Sequence, residues 1–301
     1  MRGNLTKMIT VLLLIAVLFA GGCNRQKTNI AEPPPGQDQA ILADFNALVQ
    51  KPTVQPAEVV NFLDANITKV SAATASAMVI GLEKILKEKL PDWQQRFADG
   101  QIDRQVLVRV YQSGLSNEFI NSVPKPQQEL FLAIKNGDYK LETAEGEFFP
   151  VIDYEFLQRY RQSVTPDIVA YLDLMAVESR ATPIKDAALM ISWPEIIERA
   201  LNQERFLKQY GDSPKAADVR QLLNRYTLFA LYGANNTPLF SYNTQTMVPA
   251  AKQAYLAVTF NAGDGSFSQV MADYIPVLVK NDFRLTEEVQ QHRKQVSDNL
   301  F

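Results

Sequence analysis

From about residue 40 onward, apolar residues recur mostly three and four positions apart, the spacing of one buried helix face. A short helix is expected over 40–49. Pro56 suits the first turn of a second helix, whose apolar side holds Val59, Val60, Phe62 and Leu63. Over 71–90, Leu82, Ile85, Leu86 and Leu90 keep the helical rhythm, and Pro91 marks the expected stop. The small residues Ala72, Ala73, Ala75 and Ala77 suit close helix contacts. Helical spacing continues over 102–112 and 126–136, with Gly137 at the expected C-terminal cap.

Residues 139–149, YKLETAEGEFF, break that period and predict a small hairpin turning near Ala144–Gly146. A lone two-stranded hairpin is marginal, so it must lean on helices. Thr165–Pro166 predicts a helix start running to about Ser179. Ser192 and Glu195 have capping-box spacing, and that helix should stop at Gly211. Ser213 and Pro214 are expected to cap and start the next helix, carried by Val219, Leu222, Leu223, Tyr226 and Phe229 to near Gly233. Further helices are expected over 246–259, 267–280 and 286–298. The fold class is therefore all-α or nearly all-α: an irregular multi-helix array with one small β-hairpin near 139–149.

The start of the chain follows another pattern. Arg2 and Lys7 precede an apolar run over 8–20, too short to span a bilayer comfortably but suited to a signal-peptide core. Then come Ala20, Gly21, Gly22 and Cys23. This ending resembles the lipobox of bacterial lipoproteins, in which a diacylglyceryl group is attached to the cysteine and the chain is cut just before it. That family usually has Leu three residues before the cysteine; here the place holds Ala20, with Leu18 two residues earlier. The resemblance implies lipidation of Cys23 and removal of residues 1–22. Residues 24–38 contain Pro33, Pro34, Pro35 and Gly36, the composition of an extended tether. The expected organisation is a leader (1–22), a lipidated N-terminus with Pro-rich tether (23–38), a helical unit (39–136), and a hairpin with a second helical unit (137–301). The last two units alternatively share one continuous core.

Composition removes several functions. Cys23 is the single cysteine among 301 residues, so no internal disulfide or cysteine-rich metal site can form. His292 is the single histidine, which leaves histidine-cluster zinc sites and His-containing triads without their residues. A formal charge of −3 gives no support to nucleic-acid binding. No GxSxG, HExxH, phosphate-loop or dinucleotide fingerprint occurs, and neither ADGQIDRQVL (98–107) nor NAGDGSF (261–267) carries a calcium-loop ligand series. No catalytic residue, metal ligand or cofactor-binding residue is nominated, and no cofactor is implied.

The remaining chemistry is surface chemistry. Glu142, Glu145, Glu147, Asp153 and Glu155 form an acidic patch around the hairpin. Glu147 and Asp153 are the residues to examine for a carboxylate pair of glycosidase type, and Asp138 for weak cation binding beside them. Leu239, Phe240 and Tyr242 of loop 234–245 are either packed into the body or part of a recognition surface. Trp93, Trp193 and the scattered tyrosines are expected to pack, and His292 is expected to be exposed.

The segment ERFLKQYGDSPKAADVRQLLNRY (204–226) resembles the turn between helices of tetratricopeptide-type repeats, through Phe206, Tyr210, Gly211, Asp212, Ser213, Pro214, Ala216 and Ala217. No second copy follows at a 34-residue period. The stretches EGEFFPVIDYEFL, DAALMISWPEIIERA and LYGANNTPLF are similar to helical envelope lipoproteins of bacteria, a resemblance that implies location and fold but no activity. The expected role is a noncatalytic binding or scaffold protein, held at a membrane by its N-terminal lipid and facing an envelope protein, peptide or polymer. A carboxylate-dependent envelope hydrolase and a solute- or lipid-binding protein with an inter-helical pocket are the alternatives.

Overall fold

The computed structural model describes residues 36–99 and 102–300; the expected leader (1–22), Cys23 and residues 24–35 of the expected tether lie outside the described residues. Helix α1 (Gln37–Val49) opens the described chain. Its Asp38 carboxylate accepts hydrogen bonds from Ser71 N (2.7 Å), Ser71 Oγ (2.8 Å) and Thr74 Oγ1 (2.7 Å). Those donors lie at the start of α3 (Ala72–Asp99), so one carboxylate caps α3 and ties it to α1. Thr74 and Ser71 hold the Asp38 carboxyl below its usual range. Helix α2 (Pro56–Asn66) starts with proline at its first position, and Val59 and Leu63 are fully buried against α3. Burying one such side chain contributes about 1.5–3 kcal/mol.

Pro91 does not stop α3. The helix continues to Asp99 although Pro91 cannot donate to the carbonyl of Lys87. The two turns beyond it bury Trp93 and Phe97, and the Arg96 guanidinium lies 4.4 Å from the Trp93 ring centroid. That packing outweighs the missing backbone bond.

Helices α4 (Arg104–Ser113), α5 (Asn117–Ser122) and α6 (Lys125–Asn136) lead to the predicted hairpin. Strands β1 (Tyr139–Ala144) and β2 (Glu147–Ile152) pair antiparallel around the two-residue turn Glu145–Gly146. Both turn residues have positive φ, 51° and 81°, as a type I′ turn requires. β2 packs on α3, and Gln94 Nε2 donates to Pro150 O at 3.2 Å. Pro150 sits within β2, tolerated because a two-stranded ribbon has only edge strands. The left-handed residue after α6 is Asp138 (φ 56°), one place beyond the Gly137 expected there.

After α7 (Tyr154–Leu157) and a 3₁₀ turn over Gln158–Tyr160, α8 (Pro166–Arg180) begins at the predicted Thr165–Pro166. Two further hairpins follow that the hydrophobic pattern does not mark. The first joins β3 (Ile184–Lys185) to β4 (Ala188–Leu189). The second joins β5 (Gly233–Ala234) to β6 (Thr237–Pro238). The β3–β4 tip links the other two: Glu145 N of the first hairpin donates to Asp186 Oδ1 at 2.7 Å, and Asn236 of the β5–β6 tip donates through N to Ala187 O (2.8 Å) and through Nδ2 to Asp186 O (2.7 Å).

Between the last two hairpins, α9 (Trp193–Gln209) and α10 (Ala216–Tyr232) pack along their length, as a short connection favours. Ser192 Oγ accepts from Glu195 N at 3.4 Å, but the Glu195 carboxylate turns to Arg199 instead of closing the capping box. Helix α10 begins at Ala216, two residues after the expected Pro214, and Lys215 is its cap. The reason is that Ser213 Oγ donates to Asp167 Oδ2 at 2.6 Å while accepting from Lys215 N at 3.2 Å. Helices α11 (Pro249–Leu256), α12 (Ser266–Lys280) and α13 (Glu287–Asp298) finish the described chain.

The fold among the described residues is thus nearly all α, with three two-stranded antiparallel sheets. One apolar cluster runs from Phe45 through Leu172 and takes in Phe206 and Val219; the other runs from Ile191 to Val289. Leu207 of α9 touches both.

Candidate functional site

The largest cavity described, about 380 Å³, lies where α4, the end of α6, β1 and the start of α7 converge. Val110, Leu115 and Leu141 give it apolar wall; Tyr111 and Phe156 stand half-exposed at its border, and Asp138, Asp153, Lys135 and Lys140 add polar groups. A volume of that size suits a small ligand, with a mainly apolar wall and a few charged groups to orient it.

Asp138 is the buried carboxyl in it. Its side chain is only 1 % exposed, and Arg159 Nη2 donates to its Oδ2 at 2.7 Å. Burial pushes the Asp138 carboxyl up to about 6, against the lowering effect of Arg159. The same Nη2 donates to Tyr160 Oη at 2.7 Å, and Tyr160 donates on to Asp64 Oδ1 at 2.7 Å. Arg159 also stacks on the Phe156 and Tyr160 rings, 4.4 and 4.3 Å from their centroids. The strained backbone of Asp138 is held because its carbonyl accepts from Asp153 N at 2.9 Å.

The acidic patch is divided among separate tasks. Asp153 Oδ1 caps α7, accepting from Glu155 N and Phe156 N. Glu155 pairs with Arg180 at 2.8 Å, and Glu142 with Lys185 at 2.6 Å. Glu147 and Asp153 do not form a carboxylate pair: they stand at opposite ends of β2, about 20 Å apart along a strand of that length. Asp138 and Asp153, by contrast, line one cavity. Among the described residues, no group of three acidic, histidine or cysteine side chains is placed to hold a metal ion.

Loop 234–245 divides its aromatic and apolar residues between both expected uses. Leu239 and Phe240 are buried, whereas Tyr242 is 72 % exposed and its hydroxyl donates to Asn235 O at 2.9 Å. Trp93 and Trp193 are buried, Trp193 meeting Tyr255 edge to face at 6.2 Å. His292 is not the exposed residue expected from its charged surroundings. Its ring is partly buried and stacked on Tyr274, 5.5 Å between centroids and 9° between planes. Aromatic stacking on the inner side of α13 accounts for the difference.

Two buried ionic networks escaped the sequence pattern altogether. In the first, Glu83 of α3 accepts from Tyr154 Oη (2.7 Å), Tyr171 Oη (2.5 Å) and Lys87 Nζ (2.8 Å), and pairs with Lys215. Burial acts to raise the Glu83 carboxyl, but Lys215, Lys87 and Tyr171 outweigh it and hold it at about 2. In the second, Arg199 of α9 binds Glu195 (2.5 Å), Glu178 (3.2 Å), Ala181 O (2.9 Å) and Tyr226 Oη (3.1 Å). Both networks fasten helices from separate parts of the chain, and every member has its partners, as structural clamps require.

The chain matches no protein-family model, no curated protein and no solved structure.

Proposed function

We propose that this is a lipid-anchored extracytoplasmic protein of the bacterial envelope with a noncatalytic binding or scaffold role. The observation that carries the reading is the single cysteine, Cys23, placed directly after an apolar leader and Ala20-Gly21-Gly22. Two acyl chains supply the stable attachment that one does not. No helix among the described residues is long and apolar enough to cross a membrane, which is consistent with attachment through lipid. The helical body starts at Gly36, and the proline run just before it suits a spacer. Cys23→Ser tests the anchor: the variant is expected in the soluble fraction after cell breakage, and unchanged membrane attachment would overturn the reading.

A second reading, a carboxylate-dependent hydrolase, draws on Asp138 and Asp153 lining one cavity, with Asp138 raised toward neutral pH. Its test is hydrolysis of envelope glycans by the wild type and by Asp138→Asn. Activity abolished by the substitution favours it; no turnover by the wild type removes it.

A further inference from the structure

Arg293 of α13 has a preorganised guanidinium with nothing from the described chain to bind. Its central carbon stands 4.6 Å from the Tyr232 ring centroid and 5.6 Å from that of Phe240. Among the described residues it forms no ion pair and donates no hydrogen bond, whereas its neighbour Lys294 is engaged with Asp298 at 2.6 Å. Stacking occupies the face of a guanidinium and leaves the N–H groups on its edge free, the fork that matches a planar oxyanion.

Arg293 lines a cavity of about 250 Å³ whose other walls include Gly233, Ala234, Ser241, Tyr242 and Gln245. The walls are already fixed. Gln245 O accepts from Leu285 N at 2.7 Å, Leu239 N donates to Tyr232 O at 2.9 Å, and the β5–β6 tip is bonded to the β3–β4 turn through Asn236. Gly233 adopts φ 74°, and a Cβ there would lie 2.3 Å from Thr237 O, so glycine is what lets the hairpin close beside Arg293.

The chemistry selects the ligand. One guanidinium, with no second cationic side chain among the described residues that line the cavity, suits a planar monoanion better than a phosphate dianion. The small neighbours Gly233, Ala234 and Ser241 leave room for a short side chain, and the exposed Tyr242 ring offers a flat rim for the residues before it. We propose that this cavity binds the terminal carboxylate of a peptide ending in a small residue. The proposal rests on the binding role put forward above and is independent of the lipid anchor.

Calorimetric titration of the full-length chain in detergent tests it, with N-acetyl-alanyl-alanine, its C-terminal amide and inorganic phosphate as probes. Saturable binding of the acid is expected, with the amide and phosphate at least tenfold weaker. Arg293→Gln should lose at least tenfold in affinity for the acid, and Arg293→Lys, which keeps the charge but not the fork, should fall between. Arg293 makes no hydrogen bond or ion pair within the described chain, so Arg293→Gln loses only the ring contacts with Tyr232 and Phe240 and a small drop in melting temperature is expected, smaller still for Arg293→Lys. Failure of the acid to bind, equal binding of the amide, tighter binding of phosphate, or unchanged affinity in a folded Arg293→Gln overturns the proposal. The amide comparison uses wild-type protein and stands even if a variant does not fold. Detergent partitioning of the same wild-type preparation reads the anchor separately, so either idea can fail alone.

Discussion

Lys215, the cap of α10, is ion-paired to Glu83 in the middle of α3, and both side chains are nearly excluded from solvent. This contact joins the early helices to the α9–α10 pair. Removing Lys215 leaves the buried Glu83 carboxylate with Lys87 and the Tyr154 and Tyr171 hydroxyls but without its most buried cation. Lys215→Met is therefore expected to destabilise the fold by about 1.5–3 kcal/mol in chemical denaturation. The double variant Glu83→Gln/Lys215→Met should lose less than the single one, because no buried carboxylate is left short of a cation and the Gln oxygen can still accept from Tyr154 and Tyr171. Additive losses would contradict this account of the pair.

Glu83 and Asp138 make opposite contributions to pH dependence. Glu83 is depressed to about 2, so its stabilising contribution is present above the ordinary carboxylate range and is lost as pH falls from about 4.5 toward 2. Asp138 is raised to about 6, so its ionisation disfavours the folded state, and stability rises as pH falls from about 6 to 4. The Asp138 contribution over that interval is about 2–3 kcal/mol. Denaturation midpoints of wild type and Asp138→Asn, followed from pH 4 to 7, check it. The difference between the two curves should change across pH 4–6 and level off above; a constant difference would remove the assignment.

Pro91 interrupts the backbone ladder of α3 at an exposed position. Pro91→Ala restores a donor to the Lys87 carbonyl and should stabilise the protein by about 1–3 kcal/mol. A loss of stability in thermal unfolding would show that the proline geometry itself is needed to bring Trp93 and Phe97 into the core.

These cases show what a sequence displays and what it hides. Thr165–Pro166, Ser192 and the 139–149 hairpin were legible because their signals are local: a cap, a proline at a first turn, a broken helical period. Pro91 was misleading because the packing of Trp93 and Phe97, within the next two turns, decides its effect. The β3–β4 turn was invisible, since Asp186 and Ala187 carry positive φ of 50° and 56° without the usual Asn or Gly signal. In the larger cavity, Asp138 and Asp153 lie at opposite ends of a hairpin, and only strand pairing brings them together. Loop 234–245 drew notice through its aromatics. Nothing around Arg293 signals that α13 lays it against Tyr232 of α10.

Gly233 supports the Arg293 cavity through its backbone. Gly233→Ala combines an unfavourable positive φ with a clash against Thr237 O. The expected cost is about 1–3 kcal/mol. Acid-peptide affinity should fall even at temperatures where the variant stays folded. A variant with unchanged stability and affinity would contradict the role given to this glycine.

The measurement that tests the central claim most directly is the intact mass of the protein extracted from membranes of its native host. Lipidation at Cys23 predicts a chain starting there, without residues 1–22, whose excess mass is a diacylglyceryl group on that cysteine, with or without a further acyl chain on its amine. A chain that retains Met1–Gly22, or one that starts elsewhere with an unmodified Cys23, would contradict it.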